Sequence, residues 1–193
     1  MAVAAIAGMR GLAPLGAVGL AVFAIGGIVR SFAVGHAARL RQFHEGPARA
    51  FVAMVGANSR LYGGLVVHLG VILFALSFTM ASAFAVEREA TLREGESVSL
   101  RGYTVTYVGD STTSSAHKST VSVDLEVARG GRVLGTYAPA LSTFAGSRQL
   151  IGTPSVRNGL LEDVYLTIVT SPRDGQVSVN DKVNPLVVWL WIG

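Results

Sequence analysis

Residues 61–86 read Leu61-Tyr62-Gly63-Gly64-Leu65-Val66-Val67-His68-Leu69-Gly70-Val71-Ile72-Leu73-Phe74 and run on to Val86 without one Asp, Glu, Lys or Arg. At ~1.5 Å of rise per residue such a helix extends about 39 Å, more than the ~30 Å hydrocarbon layer of a bilayer. The stretch predicts a membrane span with tilt to spare. Its N-terminal neighbour, Gly11 to Val29, is a second uncharged run of 19 residues, so residues 1–29 are expected to supply a first transmembrane helix. A cleaved signal sequence is the rival reading, but no cluster of positive charge precedes the run and it is long for a signal core. Gly16, Gly19, Gly26 and Gly27 would weaken a helix in water, whereas in lipid small residues let another helix approach closely. A helix partner is therefore expected.

The whole chain agrees with these two runs. Of its 193 residues half are apolar and only 15% are charged, against roughly 25% in an ordinary soluble domain, and the mean hydropathy is +0.48. The absence of cysteine excludes a structural disulfide, a thiolate metal site and a cysteine nucleophile. A net charge of +4 suggests nucleic acid until it is located. Residues 30–60 hold Arg30, Arg39, Arg41, Arg49 and Arg60 against Glu45, whereas residues 87–182 are close to neutral. The basicity is one short loop between two spans, not a nucleic-acid face. Short arginine-rich loops stay on the cytoplasmic side, which puts 30–60 inside and everything after Val86 outside.

Within that loop Phe32, Val34, Leu40, Phe43, Phe51, Val52, Met54 and Val55 alternate with arginines and small residues, the pattern of an amphipathic interfacial stretch. Pro47 predicts one short helix on each side of Gly46-Pro47. After Glu87 the period changes to two: Val98 and Leu100, then Tyr103, Val105 and Tyr107, then Val121, Val123, Leu125 and Val127 alternate with polar residues. Gly130-Gly131 makes a hairpin into Arg132-Val133-Leu134, and further strands are expected at Leu161 to Val169 and Gln176 to Val179. Residues 87–182 thus predict an extracytoplasmic all-β domain, a small barrel or sandwich of about six strands. Residues 183–193 turn apolar, with Trp189 and Trp191 suited to the interfacial belt, and read as the start of a final transmembrane helix cut short. The fold class is an integral membrane α-helical protein with an all-β outer domain.

Few groups here can do chemistry. No P-loop, dinucleotide fingerprint or nucleophile elbow occurs, and no catalytic residue is assigned. His36 and His44 lie in the basic loop as solvated or headgroup-facing side chains, and His117 sits in a polar turn. His68 is different, because an ionisable ring at membrane depth is costly unless it has work to do. It either hydrogen-bonds a neighbouring helix, or it is an axial haem ligand with a glycine-rich wall making room for the porphyrin. Composition leaves both open.

The residues around it carry a resemblance. Arg60-Leu61-Tyr62-Gly63-Gly64-Leu65-Val66-Val67-His68-Leu69-Gly70 resembles the Arg-x-Tyr-Gly-Gly-x-x-x-His-Leu-Gly signature of CcmF-type cytochrome c biogenesis proteins. Val183-Asn184-Pro185-Leu186-Val187-Val188-Trp189-Leu190-Trp191-Ile192-Gly193 resembles the segment leading into their final helix, at a fitting distance, and Gly102-Tyr103 and Glu162-Asp163-Val164-Tyr165 resemble patterns of their outer domain. The resemblance implies a haem-handling subunit of the cytoplasmic (inner) membrane that helps attach haem to the CxxCH motif of apocytochrome c on the outer side. Its partners would be the upstream part of the protein or a separate subunit, a haem chaperone and other maturation proteins, apocytochrome c and membrane lipid. His68 matches the family histidine that ligates the iron of an intramembrane haem b, which is thought to keep the delivered iron ferrous. Gly63, Gly64 and Gly70 would leave space for the macrocycle, and Arg60, about two turns away, is a possible propionate contact.

The family's tryptophan-rich haem-delivery motif, its two flanking histidines and its second haem b histidine have no counterpart in this sequence. The chain matches the C-terminal third only, either as a piece of a longer protein or as one of several chains that assemble. The second axial ligand would come from a segment not in this chain, which alone is not expected to act as a haem lyase. The competing reading makes the chain a membrane-anchored β domain whose only role is to bind a protein partner; an imidazole in the span has no place in that reading.

Overall fold

The structure is a computed structural model that describes residues 11–147 and 149–193. Two compact units divide the chain: residues up to 83 together with Trp189–Gly193, and Phe84–Val188.

The first unit is helical. Helix α1, Leu12–Phe43, is 32 residues long, α2 is Pro47–Ala57, and α3, Ser59–Phe84, has 26 residues. Of these, α1 and α3 are long and apolar enough to cross a membrane. The sequence places the end of the first helix at Val29; the structure carries it unbroken past Arg30 to Phe43. Ala37-Ala38-Arg39-Leu40-Arg41 explains the extension, because Ala, Leu and Arg are strong helix formers and no proline intervenes. The helix expected before Gly46-Pro47 is thus the last third of α1. His44 ends it in the left-handed conformation, with φ 53° and its N–H bonded to the Leu40 carbonyl. Pro47 then opens α2, where a missing N–H is harmless. The turn is clamped by a bidentate Arg39–Glu45 pair, with both contacts at 3.2 Å.

Glycine has a structural role where α1 meets α2 and α3. A Cβ on Gly35 of α1 would strike the Tyr62 hydroxyl of α3 and come within 2.9 Å of the Met54 sulfur of α2. Only a residue without a side chain lets the three helices meet there. Gly16, Gly26 and Gly27 have nothing within 4 Å of the same position, so the helix partner expected from them is not supplied by the described residues.

The second unit is all-β, with ten strands rather than about six: β1 Val86–Arg93, β2 Ser97–Leu100, β3 Tyr103–Ser114, β4 Lys118–Arg129, β5 Arg132–Tyr137, β6 Ala140–Phe144, β7 Leu150–Thr153, β8 Ser155–Arg157, β9 Glu162–Arg173 and β10 Gln176–Pro185. One sheet runs β1-β10-β9-β8; the other runs β2-β3-β4-β6-β7, with β5 also pairing β4. The inward residues of both sheets form one core, including the alternating Tyr103, Val105, Val123 and Leu125 together with Val164, Leu166, Ile168, Val177, Val179 and Val183. Gly130 and Gly131, at φ 57° and 80°, make the β4–β5 turn with both residues left-handed, as a tight hairpin requires.

The additional strands are those whose own sequence argues least for a strand. Val86–Arg93 carries four charges and buries only Leu92, but pairs along its full length with β10. Residues 183–185, expected to begin the final helix, instead complete β10, and Val183 is buried in the core between Val86 and Val164. The apolar helix starts at Val187 and continues to Ile192 as α4.

Candidate functional site

The site is built on α3 from its first turn. Asn58 closes α2 and caps α3, its Oδ1 accepting the Leu61 N–H at 3.3 Å. Tyr62 comes next and is buried, its ring 4.9 Å from that of Phe32 and its hydroxyl against Gly35. The motif tyrosine therefore fixes α3 to α1. With one face of the helix anchored there, residue 68 falls about 120° around the axis, and His68 is exposed.

Among the described residues the imidazole bonds its own helix and no other. His68 Nδ1 lies 2.7 Å from the carbonyl oxygen of Gly64, one turn back on its own helix. A carbonyl only accepts, so Nδ1 carries the proton, and in the neutral ring Nε2 then holds a free lone pair pointing off the helix. A backbone carbonyl in this position fixes the tautomer and the orientation of the ring. Gly63 and Gly64 present open space, with nothing within 4 Å of where a Cβ would stand. Gly70 does not: its Cβ would lie 2.7 Å from the Gly193 carbonyl oxygen, so its role is close backbone packing rather than room for a macrocycle. Below His68 on the same side, Ile72 and Ala75 join Leu20, Phe23 and Ala24 of α1 in an apolar groove of about 340 Å³. Val67 and Val71 beside the histidine are also exposed.

A free Nε2, an open glycine wall and an apolar surround fit one axial position of a haem. They fit no polydentate metal centre, and among the described residues no three His, Asp or Glu side chains gather as a ligand set. Arg60 is exposed near the start of α3. His36, expected to be solvated, is half-buried, its Nε2 3.0 Å from the Pro47 carbonyl oxygen and its ring 6.0 Å from Phe51, so it braces the α1–α2 turn. His44 and His117 are exposed, as expected.

Another group has no counterpart in the sequence reading. Asp181 is fully buried between Val179 and Val183 on β10, and neither carboxylate oxygen has a hydrogen-bond partner among the described residues. Burial pushes its pKa up from 3.8 to about 7. The period-two pattern Val177, Val179, 181, Val183 was the available signal, hidden because Asn180-Asp181 resembles a turn.

The described residues thus comprise two helices of membrane length, a two-sheet β domain and one exposed imidazole on α3. In sequence and in fold the chain is similar to CcmF-type cytochrome c biogenesis proteins. It is 25% identical over 143 residues to the cytochrome c-type biogenesis protein CcmF of Pseudomonas aeruginosa, covering 72% of this chain and 22% of that protein. It is 26% identical over 125 residues to the cytochrome c-type biogenesis protein ccl1 of Rhodobacter capsulatus, covering 65% of this chain and 19% of the other. The solved structure of the cytochrome c heme lyase CcmF matches 87% of this chain and 32% of its own at 20% identity, with a TM-score of 0.61. No family model matches. The chain spans about a fifth of the length of the curated relatives it matches.

Proposed function

We propose that this chain is a haem-handling membrane component of the cytochrome c maturation machinery, and that His68 Nε2 is one axial ligand of a haem b. The observation that carries the reading is the ring's placement: His68 Nδ1 lies 2.7 Å from the Gly64 carbonyl oxygen, which leaves Nε2 open beside a glycine wall. The second ligand comes from a histidine outside this chain, and the open glycines of α1 give the helix that bears it a surface to approach. When bound, the haem supplies an electron that keeps the iron being delivered to apocytochrome c ferrous. The residues of this chain orient the imidazole through the Gly64 carbonyl and surround it with apolar side chains. Arg60, near the start of α3, is placed to neutralise a propionate.

In this reading α1 and α3 cross the inner membrane, the arginine-rich segment 30–60 is cytoplasmic, and the β domain lies on the outer side. There it faces the haem chaperone, apocytochrome c and other maturation subunits. The test is an absorption spectrum of the membrane-extracted assembly with its upstream portion present. A reduced spectrum with b-type bands that disappears when this chain is omitted supports the reading. A haem-free assembly would leave the chain as an anchored protein-binding module. Single cysteines at Ser59 and Ser119 of this cysteine-free chain check the topology, since a membrane-impermeant thiol reagent applied from outside should label only Ser119→Cys. Labelling of both from outside contradicts it.

A further inference from the structure

One end of the β domain carries an arginine cluster that the haem site does not use. Val86 at the start of β1 pairs with Val183 near the end of β10, so the chain joins and leaves the domain at the same end. The β2–β3 turn and the β8–β9 loop close there too, because Arg101 Nη1 donates to the Phe84 carbonyl at 2.8 Å and the Leu186 N–H donates to the Leu161 carbonyl at 2.8 Å. Arg129 Nη1 donates to the Tyr103 hydroxyl at 2.9 Å, and the Arg129 and Arg157 guanidiniums lie 4.6 Å and 5.8 Å from the centre of the Tyr103 ring. Glu162 pairs with both Arg101 and Arg129, and Asp163 is engaged by the Gly159 N–H. With Arg132 across the β4–β5 turn, four arginines face two carboxylates, an excess of two positive charges. At the opposite end Arg93, Lys118 and Arg173 face Glu94, Glu96, Asp110 and Asp174, which leaves no positive excess among the described residues. Beside Arg157, Leu160 and Leu161 are 69% and 71% exposed.

We propose that this end is a seat for an anionic phospholipid, with the guanidiniums taking the headgroup phosphate and Leu160-Leu161 dipping into the acyl boundary. The inference rests on α3 being a membrane span. Only Ala85 separates Phe84, the last residue of α3, from β1, so the junction end then cannot leave the headgroup layer. An excess of positive charge and an exposed leucine pair at that one place fit lipid, whereas a soluble acidic partner would need no leucines there.

Native mass spectrometry of the full chain in detergent, titrated with phosphatidylglycerol or phosphatidylcholine, tests this. Wild type should retain phosphatidylglycerol preferentially, and the preference should fall about fivefold for each arginine removed in the R132Q and R157Q variants. Neither residue has the structural bonds of Arg101 or Arg129. Leu160→Ser with Leu161→Ser should weaken retention of both lipids, and R93Q with R173Q at the far end should change nothing. Equal retention of the two lipids overturns the proposal, as does an R132Q/R157Q loss no larger than that of R93Q/R173Q. Displacement of the lipid by millimolar inorganic phosphate would also overturn it, making the cluster a free-anion site. Lipid retention needs no haem, so failure of the haem reading leaves this measurement intact.

Discussion

Replacing His68 by alanine should abolish the b-type haem bands of the assembled machinery and lower cytochrome c maturation by roughly ten- to a hundredfold. The change removes the one nitrogen on α3 that is both unprotonated and open. It leaves the helix intact, because the Gly64 carbonyl still accepts from the backbone N–H of residue 68 and alanine is the best helix former. Loss of haem would therefore report ligation rather than unfolding. His117→Ala, in an exposed turn of the β domain, should change neither haem nor maturation. Haem content and holocytochrome yield in the full assembly are the measurements. If His68→Ala kept both, the imidazole would serve only its own helix.

The second large effect concerns Asp181 and depends on pH. Its folded pKa is raised, to about 7 from 3.8, so the native state holds a proton that the unfolded chain has released between those values. Stability therefore falls as pH rises from about 4 to about 7, and the full penalty is present above 7. A shift of this size corresponds to a cost on the order of 4 kcal/mol. Asp181→Asn, a neutral group of the same shape, should raise the unfolding temperature markedly at pH 8 and have little effect at pH 4. Thermal unfolding of the full chain at the two pH values reads the difference. A shift of equal size at both would mean that the carboxylate charge is not the cause.

What the sequence made legible follows from which interactions are local. The two long apolar helices were readable because length and absence of charge are properties of a continuous stretch, and Tyr103, Val105, Val123 and Leu125 were readable because alternation alone selects one face. The continuity of α1 was not, since the arginines after Val29 suggest a break between the span and the short helix before Gly46-Pro47, whereas Ala37 to Arg41 carry one helix through to Phe43. Strand β1 was hidden because its ladder is supplied by β10, about ninety residues away, and not by its own charged sequence. His68 was visible as a functional candidate from its type and depth. The state of its ring was not, because the tautomer depends on a carbonyl one turn back whose direction only the folded helix fixes. Gly70 was misread as room for a cofactor for the same reason: its neighbour, Gly193, is distant in sequence. Asp181 could have been found by extending the valine alternation two residues further.

The claim on which the account rests is the bond between His68 Nε2 and haem iron. Substituting His68 by methionine keeps a ligand at that position while exchanging nitrogen for thioether sulfur, and histidine–methionine ligation raises a haem potential relative to bis-histidine. The measurement is a redox titration of the assembled His68→Met machinery, followed by its optical spectrum. The account predicts a shifted spectrum and a clearly higher midpoint potential. A haem retained with unchanged bands and unchanged potential would contradict it.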